Sequence, residues 1–438
     1  MANDSSLERR LGPLTVALLV VATMIGTGVF TTTGFLLRDL QSQPASLLVW
    51  LLGGIGATAG ALAYAELTAA LPSNGGEYQL LSQVYHPALG FISGLVSLVV
   101  GFAAPIAASA IAFGQYLNLA AGQDLMPPLA SGIVLIVGAT LIHALHLSAG
   151  ARIQDLFTLG KALLILLFIL GGVAAVDPSR LMGVDSPPLA SAVLSPAFAV
   201  SLVYVSYAYS GWNAAAYVAG EVREPERFLP LAIGLGTLTV TLLYLGLNAV
   251  FLGVAPADDL AAAQERVGHV AAVYAFGEVG GRVLSGLIAL GLVSTVGALV
   301  MTGPRIYEAM GRDYRAFRLL SRRFDGGGPA IAIALQSGLA ILLMLTASFE
   351  ELITYVGFTL SVFAALTVAG VFVLRVRQPN LSRPYRTWGH PVTTIGFIGL
   401  MLWMSWYVVQ ERPVIAAVGA GTVLISWLCY LVARRFGR

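Results

Sequence analysis

Twelve long apolar stretches joined by mostly short polar links constrain this chain more than any other feature. They lie at about 13–37, 45–70, 88–117, 129–147, 155–176, 194–220, 228–254, 283–309, 329–347, 351–374, 393–410 and 412–433. A helix of about 20 apolar residues crosses the hydrocarbon core of a bilayer. In lipid the backbone polar groups must be satisfied within the structure, which leaves helices or closed barrels. Stretches of this length predict helices, and the chain reads as an all-α integral membrane protein with no separate soluble domain. Charged residues make up 11% of it, against roughly 25% in soluble domains. The polar start Met1–Arg10 leads into an apolar stretch without a convincing cleavage site, so no cleavable signal peptide is expected. Gly253–Gly281 is the longest link, and its pieces Ala261–Ala263 and Val270–Phe276 are expected to form a short surface helix.

The charges are distributed unevenly. With an even number of spans both termini share one side. Arg38, Arg180, Arg266, Arg282 and Arg412 then fall on the other side, and 18 of the 24 basic residues fall with the termini. The positive-inside rule puts the termini in the cytoplasm, the N-terminal segment 1–12 and the tail 434–438 included. The remaining basic residue is Lys161, the chain's one lysine, inside the fifth stretch. An intramembrane charge is costly and marks a functional site by default, although a lysine near a helix end can snorkel to the interface. Arginine, the default base of this chain, would snorkel equally well. A compact ammonium is therefore expected to meet oxygen partners inside the protein.

Two stretches are interrupted near their middles, the first by Met24-Ile25-Gly26-Thr27-Gly28-Val29-Phe30 and the sixth by Ser206-Tyr207-Ala208-Tyr209-Ser210-Gly211-Trp212-Asn213. Each reads alone as a helix-packing contact of small residues or as half of a binding site. Together they stand at corresponding places in two sets of five helices, which is the sequence pointer to a transporter site. Half-helix N-termini suit a carboxylate. Unwound carbonyls suit an ammonium, and an amino acid carries both on one carbon.

Met24–Phe30, Tyr64–Tyr78 (YAELTAALPSNGGEY), Ala208–Pro230, Pro304–Asp313 and Arg383–Pro391 resemble, in order, segments of the amino acid–polyamine–organocation transporters. The similarity is greatest to bacterial amino acid permeases and L-type amino acid transporters. The resemblance implies the leucine-transporter fold: a first repeat at 13–176, a second and inverted repeat at 194–374, and two further helices at 393–433. It implies that Gly26, Thr27 and Gly28 hold a substrate carboxylate, and that the carbonyls of Ile25, Ala208 and Ser210, at the Ser210-Gly211 break, cradle its amino group. Tyr207 matches an aromatic gate, with a hydroxyl that either reaches the ligand or bonds a neighbouring helix. Lys161 matches a lysine of sodium-independent members, with expected contacts at Ala22, Ile25 and Ser294 or Thr295.

No carboxylate is expected at mid-membrane. Glu66, Glu221 and Glu308 fall at span ends, Asp155 opens the fifth stretch, and the rest lie in loops. A cationic side chain would lack a charged partner, and an acidic one would need a second base. The expected substrate is thus a neutral L-amino acid, carried by alternating access without sodium, by proton coupling, exchange or facilitation. The alternatives are a sodium-coupled symporter, a polyamine or cationic amino acid antiporter, and a receptor or membrane enzyme. The small-residue face Ala103–Ala110 leaves room for a large side chain or lets helices pack closely. Glu221–Arg227 and Arg312–Arg323 read as solvated loops or as intracellular ion pairs that hold one state. The five histidines form no catalytic cluster. His143 and His146 lack an accompanying carboxylate or cysteine, so an interhelical hydrogen bond is expected rather than a metal. No enzyme activity, cofactor, metal or nucleic-acid partner is expected. Cys429, in the last stretch, is the only cysteine; the resemblance implies that a linked heavy chain would need a cysteine in an extracellular loop near the fourth stretch, so no disulfide-linked heavy chain is expected, and the protein reads as a monomer or homodimer in the bilayer.

Overall fold

The structure, a computed structural model, describes residues 11–145, 150–183, 187–323 and 328–436. Among these residues the chain is helical, with one isolated bridge between Leu11 and Val222. The first apolar stretch forms two helices, α1 (Pro13–Met24) and α2 (Gly28–Leu40). Next come α3 (Gln43–Ala70), α4 (Glu77–Val84) and α5 (Pro87–Ala121). They are followed by α6 (Pro128–Leu145) and α7 (Gly150–Gly172). The sixth stretch is again divided, into α8 (Pro196–Tyr209) and the single turn α9 (Ala214–Tyr217). The remaining helices are α10 (Pro225–Val254), α11 (Ala257–Ala263), α12 (Val267–Thr302), α13 (Pro304–Asp313), α14 (Ala330–Thr346), α15 (Phe349–Arg377), α16 (Val392–Glu411) and α17 (Pro413–Arg435). Eight helices or helix pairs of the described residues are long and apolar enough to cross a membrane. Four shorter apolar helices accompany them, at Pro128–Ala144, Leu159–Ala175, Pro196–Tyr209 and Ala330–Thr346.

Local chemistry sets many of the starts. Proline occupies the first turn of α1, α3, α5, α8, α10, α13 and α17, where its missing N–H is no loss and its φ is already helical. Ser42 and Ser195 accept from the backbone N–H groups of Ala45 and Phe198. Ser348 and Glu351 form a reciprocal capping box. The link between the seventh and eighth stretches holds the expected helical pieces: Ala261–Ala263 lies in α11, and Val270–Phe276 lies in the first segment of α12. That segment ends at Gly277, where φ is +73° and ψ −179° break the helical geometry and kink α12. Glycine tolerates that angle.

The start of α1 lies beside the end of the sixth stretch, since the Leu11 N–H donates to the Glu221 carbonyl and the Arg223 N–H to that of Leu11. This face, called the terminal face here, also holds the ends of α3 and α15. There Glu66, 1% exposed, accepts from Arg375 at 2.9 and 2.7 Å and from the N–H and hydroxyl of Thr387 at 2.7 Å each. Removing one partner of a buried pair strands the other, but Arg375 is partly exposed and water recovers some of that loss. Glu66→Ala is expected to destabilise the protein by about 2–3 kcal/mol, read as a lowered thermal transition in detergent. Glu308 pairs with Arg312 and Arg323 on the same face, so part of the Arg312–Arg323 run is paired. Arg227 and Glu224, both exposed, form only a loose pair at 3.9 Å.

On the opposite face the ends of α2 and α16 meet the start of α15. Arg38 donates twice to Glu350 at 2.8 Å, and Arg412 and the Tyr204 hydroxyl each donate to the same carboxylate at 2.8 Å.

Candidate functional site

The first break leaves helical geometry at Ile25, with φ −75° and ψ 86°. The Ile25 N–H still reaches the Val21 carbonyl, but the Gly26 N–H turns back onto the Met24 carbonyl at 2.8 Å. The Thr27 and Gly28 N–H groups open α2, where first-turn donors have no partner within the helix. Gly28 lies against Ala208, and a methyl there would come within 2.5 Å of the Ala208 Cα. That close approach brings the two broken helices together.

Lys161 projects from α7 into the back of this break and is 5% exposed. Its Nζ donates to the Ile25 carbonyl at 2.8 Å, to the Thr295 hydroxyl at 3.3 Å and to the Ala22 carbonyl at 3.4 Å. Ser294, the neighbouring residue on α12, is also buried. Three elements thus meet at one ammonium.

The second break lies across from the first. Ser210 is extended (φ −57°, ψ 152°) and Gly211 has φ +104°. The Thr23 hydroxyl donates to the Gly211 carbonyl at 2.9 Å, which ties the breaks directly. The hydroxyls of Thr27 and Tyr207 are 2.6 Å apart, so the Tyr207 hydroxyl bonds a neighbouring helix. One neutral hydrogen bond contributes about 1 kcal/mol, so Tyr207→Phe is expected to change substrate affinity by roughly fivefold at most, measured by competition binding.

A cavity of about 170 Å³ lies between the breaks and extends toward the terminal face. Gly26, Thr27, Gly28, Tyr207, Ala208, Ser210, Gly211, Ala22 and Thr295 all line it, together with Pro105, Ser109, Leu360, Ser361, Phe397 and Met401. Its lining is mostly apolar. Among the described residues no three or more His, Cys, Asp or Glu side chains are grouped so as to hold a metal ion. His146 lies outside the described residues.

With this geometry in place, residues 11–432 match the amino acid permease family. The chain belongs to the amino acid permease family. It is similar to the serine/threonine exchanger SteT of Bacillus subtilis, 29% identical over 87% of each chain. It is also similar to the b(0,+)-type amino acid transporter 1 of Homo sapiens, 29% identical over 87% of this chain and 79% of the relative. The large neutral amino acids transporter small subunit 2 of Mus musculus is 27% identical over 98% of this chain and 81% of its own. The protein is therefore an amino acid transporter of this family and not an enzyme.

Several residues of this permease site escaped the sequence reading. Tyr244 on α10 donates its hydroxyl to the Met24 carbonyl at 2.5 Å. Its ring packs at 5.6 Å from Trp50 and 5.1 Å from Tyr209, which backs the break with a fixed aromatic wall. A tyrosine with Asn248 one turn later in an apolar stretch was the available signal. Glu77 is the larger correction. It was read as a loop carboxylate, yet it opens α4, is 7% exposed and lines the cavity. The turn before it carries two glycines of positive φ, Gly75 at +118° and Gly76 at +56°. This folds the carboxylate inward.

Proposed function

We propose that this permease carries neutral L-amino acids across the cytoplasmic membrane by alternating access, without sodium. In this reading the eight long and four shorter apolar helices are twelve spans of the leucine-transporter fold. Residues 13–176 and 194–374 are its inverted repeats, 393–433 its last two spans, and both termini are cytoplasmic. The observation that carries the reading is the Lys161 ammonium bonded to the Ile25 and Ala22 carbonyls and the Thr295 hydroxyl. A fixed positive charge among those oxygens takes the role that a bound cation would otherwise fill, and it connects α7 and α12 to the unwound turn.

A zwitterion suits the two breaks. The N–H groups at Gly26, Thr27 and Gly28 face a carboxylate, with the positive end of the α2 dipole behind them. For Gly26 this requires its N–H to leave the Met24 carbonyl on binding. The carbonyls of Ile25, Ala208 and Ser210 accept from the ammonium. The mostly apolar cavity wall favours a neutral side chain, and the relatives' names, which include serine, threonine and large neutral amino acids, support the same class. The ion pairs of Glu308 on one face and Glu350 on the other are suited to hold alternate closed states. The protein acts without a disulfide-linked heavy chain, as a monomer or homodimer, and works by proton coupling, exchange or facilitation.

Purified protein in liposomes is the test, with a panel of labelled amino acids under imposed pH and sodium gradients. Neutral amino acids are expected to accumulate or exchange in sodium-free buffer at the rate seen with sodium. No flux of any amino acid, or flux that needs sodium, contradicts the proposal.

A further inference from the structure

Among the described residues lining the cavity, Glu77 is the only one with a charged side chain. Its partners are all neutral. Oε1 accepts from the Tyr64 hydroxyl at 3.1 Å and from the Asn213 amide, and Oε2 accepts from the Tyr217 hydroxyl at 2.6 Å. Among the described residues no basic side chain pairs with it, whereas Glu66, Glu308 and Glu350 each hold an arginine. A buried carboxylate normally has a cationic partner, and the cavity is the open side from which Glu77 could receive one.

The position gives that carboxylate a use. Tyr64 and Trp212 pack edge to face at 4.6 Å between the second break and Glu77. The Gly75 and Gly76 N–H groups donate to the carbonyls of Tyr217 and Ala216, which fixes the Glu77 turn to α9 on the terminal-face side of the break. A substrate moving between the central site and the terminal face passes Glu77 after leaving the carbonyls that hold its amino group.

We propose that Glu77, with Tyr64, Asn213 and Tyr217 around it, forms a second site on the terminal-face side of the cavity that takes a primary ammonium group. This rests on the proposed function and adds a station to it. The carboxylate receives the ammonium released by Ile25, Ala208 and Ser210, so the substrate is desolvated in two steps rather than one. The same chemistry would receive the side-chain ammonium of a lysine-like substrate, a group for which the sequence showed no partner.

The experiment compares uptake into right-side-out and inverted membrane vesicles for wild type, Glu77→Gln and Glu77→Asp, with labelled alanine and labelled lysine. In inverted vesicles, where the terminal face is outside, Glu77→Gln is expected to raise the KM roughly tenfold, the scale of one charge-assisted hydrogen bond. In right-side-out vesicles the KM is expected to change less than twofold, and Glu77→Asp should restore most of the loss. A shift for both substrates identifies the α-ammonium as the ligand, and a shift for lysine alone identifies the side-chain ammonium. An unchanged KM on the terminal face, equal changes on both faces, or an aspartate variant as impaired as the glutamine variant with a normal thermal transition overturns the site. Wild-type vesicles that move no amino acid overturn the proposed function, and the site with it.

Discussion

Lys161→Ala is expected to lower transport by roughly a hundredfold or more while the protein remains folded. The side chain makes charge-assisted hydrogen bonds to the Ile25 carbonyl of the first break and the Ala22 carbonyl in the last turn of α1, and a bond to Thr295. Bonds of this type contribute about 1.5–3 kcal/mol each, and about 1.4 kcal/mol is a factor of ten. Losing them frees the Ile25 carbonyl from α7 and α12, so the turn that faces the substrate loses its fixed shape. Lys161→Arg is expected to fail as well. A planar guanidinium needs a wider fork of acceptors than one compact ammonium, and a methyl placed on Gly291 would already lie 3.4 Å from the Lys161 Cγ and Cδ, so the stem passes close to α12. Sodium-free exchange in liposomes gives the transport loss. Thermal unfolding with and without substrate separates it from misfolding, because the variant should melt cooperatively but lose its substrate-induced shift.

Gly211→Ala is expected to remove both transport and part of the stability. A φ of +104° lies where L side chains are strained, at about 1–3 kcal/mol. The new methyl would also lie 2.7 Å from the backbone carbon and oxygen of Thr23, and backbone cannot swing aside as a side-chain tip can. The two broken helices must then separate at the hydrogen bond from Thr23 to Gly211. Gly26→Ala is the contrast, because its methyl meets nothing nearer than the Thr295 Cγ2 at 3.7 Å. That variant should melt like wild type and lose affinity through the methyl in the cavity. A thermal transition for Gly211→Ala within about a degree of wild type would show that the break relaxes freely, contrary to this description.

The difference between those two glycines also shows what the sequence could carry. A glycine pair in an apolar stretch is visible along the chain, as is a lone lysine among arginines, so both breaks and Lys161 were legible. The oxygen partners expected for Lys161 came from the resemblance rather than from the residues. Which glycine is strained, and which merely faces open space, depends on atoms from distant segments. Tyr244 and Trp50 reach the breaks only through helix packing, with no local pattern to mark them. Glu77 was hidden for a different reason. Polar residues after a span predict a solvated link, and the inward fold of this one depends on Gly75, Gly76 and the carbonyls of α9.

The most direct test of the central claim is binding of a neutral L-amino acid in sodium-free buffer, compared with its amide and its des-amino analogue. If the two breaks read the carboxylate and the ammonium together, the amino acid binds, both analogues bind at least tenfold more weakly, and adding sodium changes nothing. Equal binding of all three, or binding that appears only with sodium, would contradict the account.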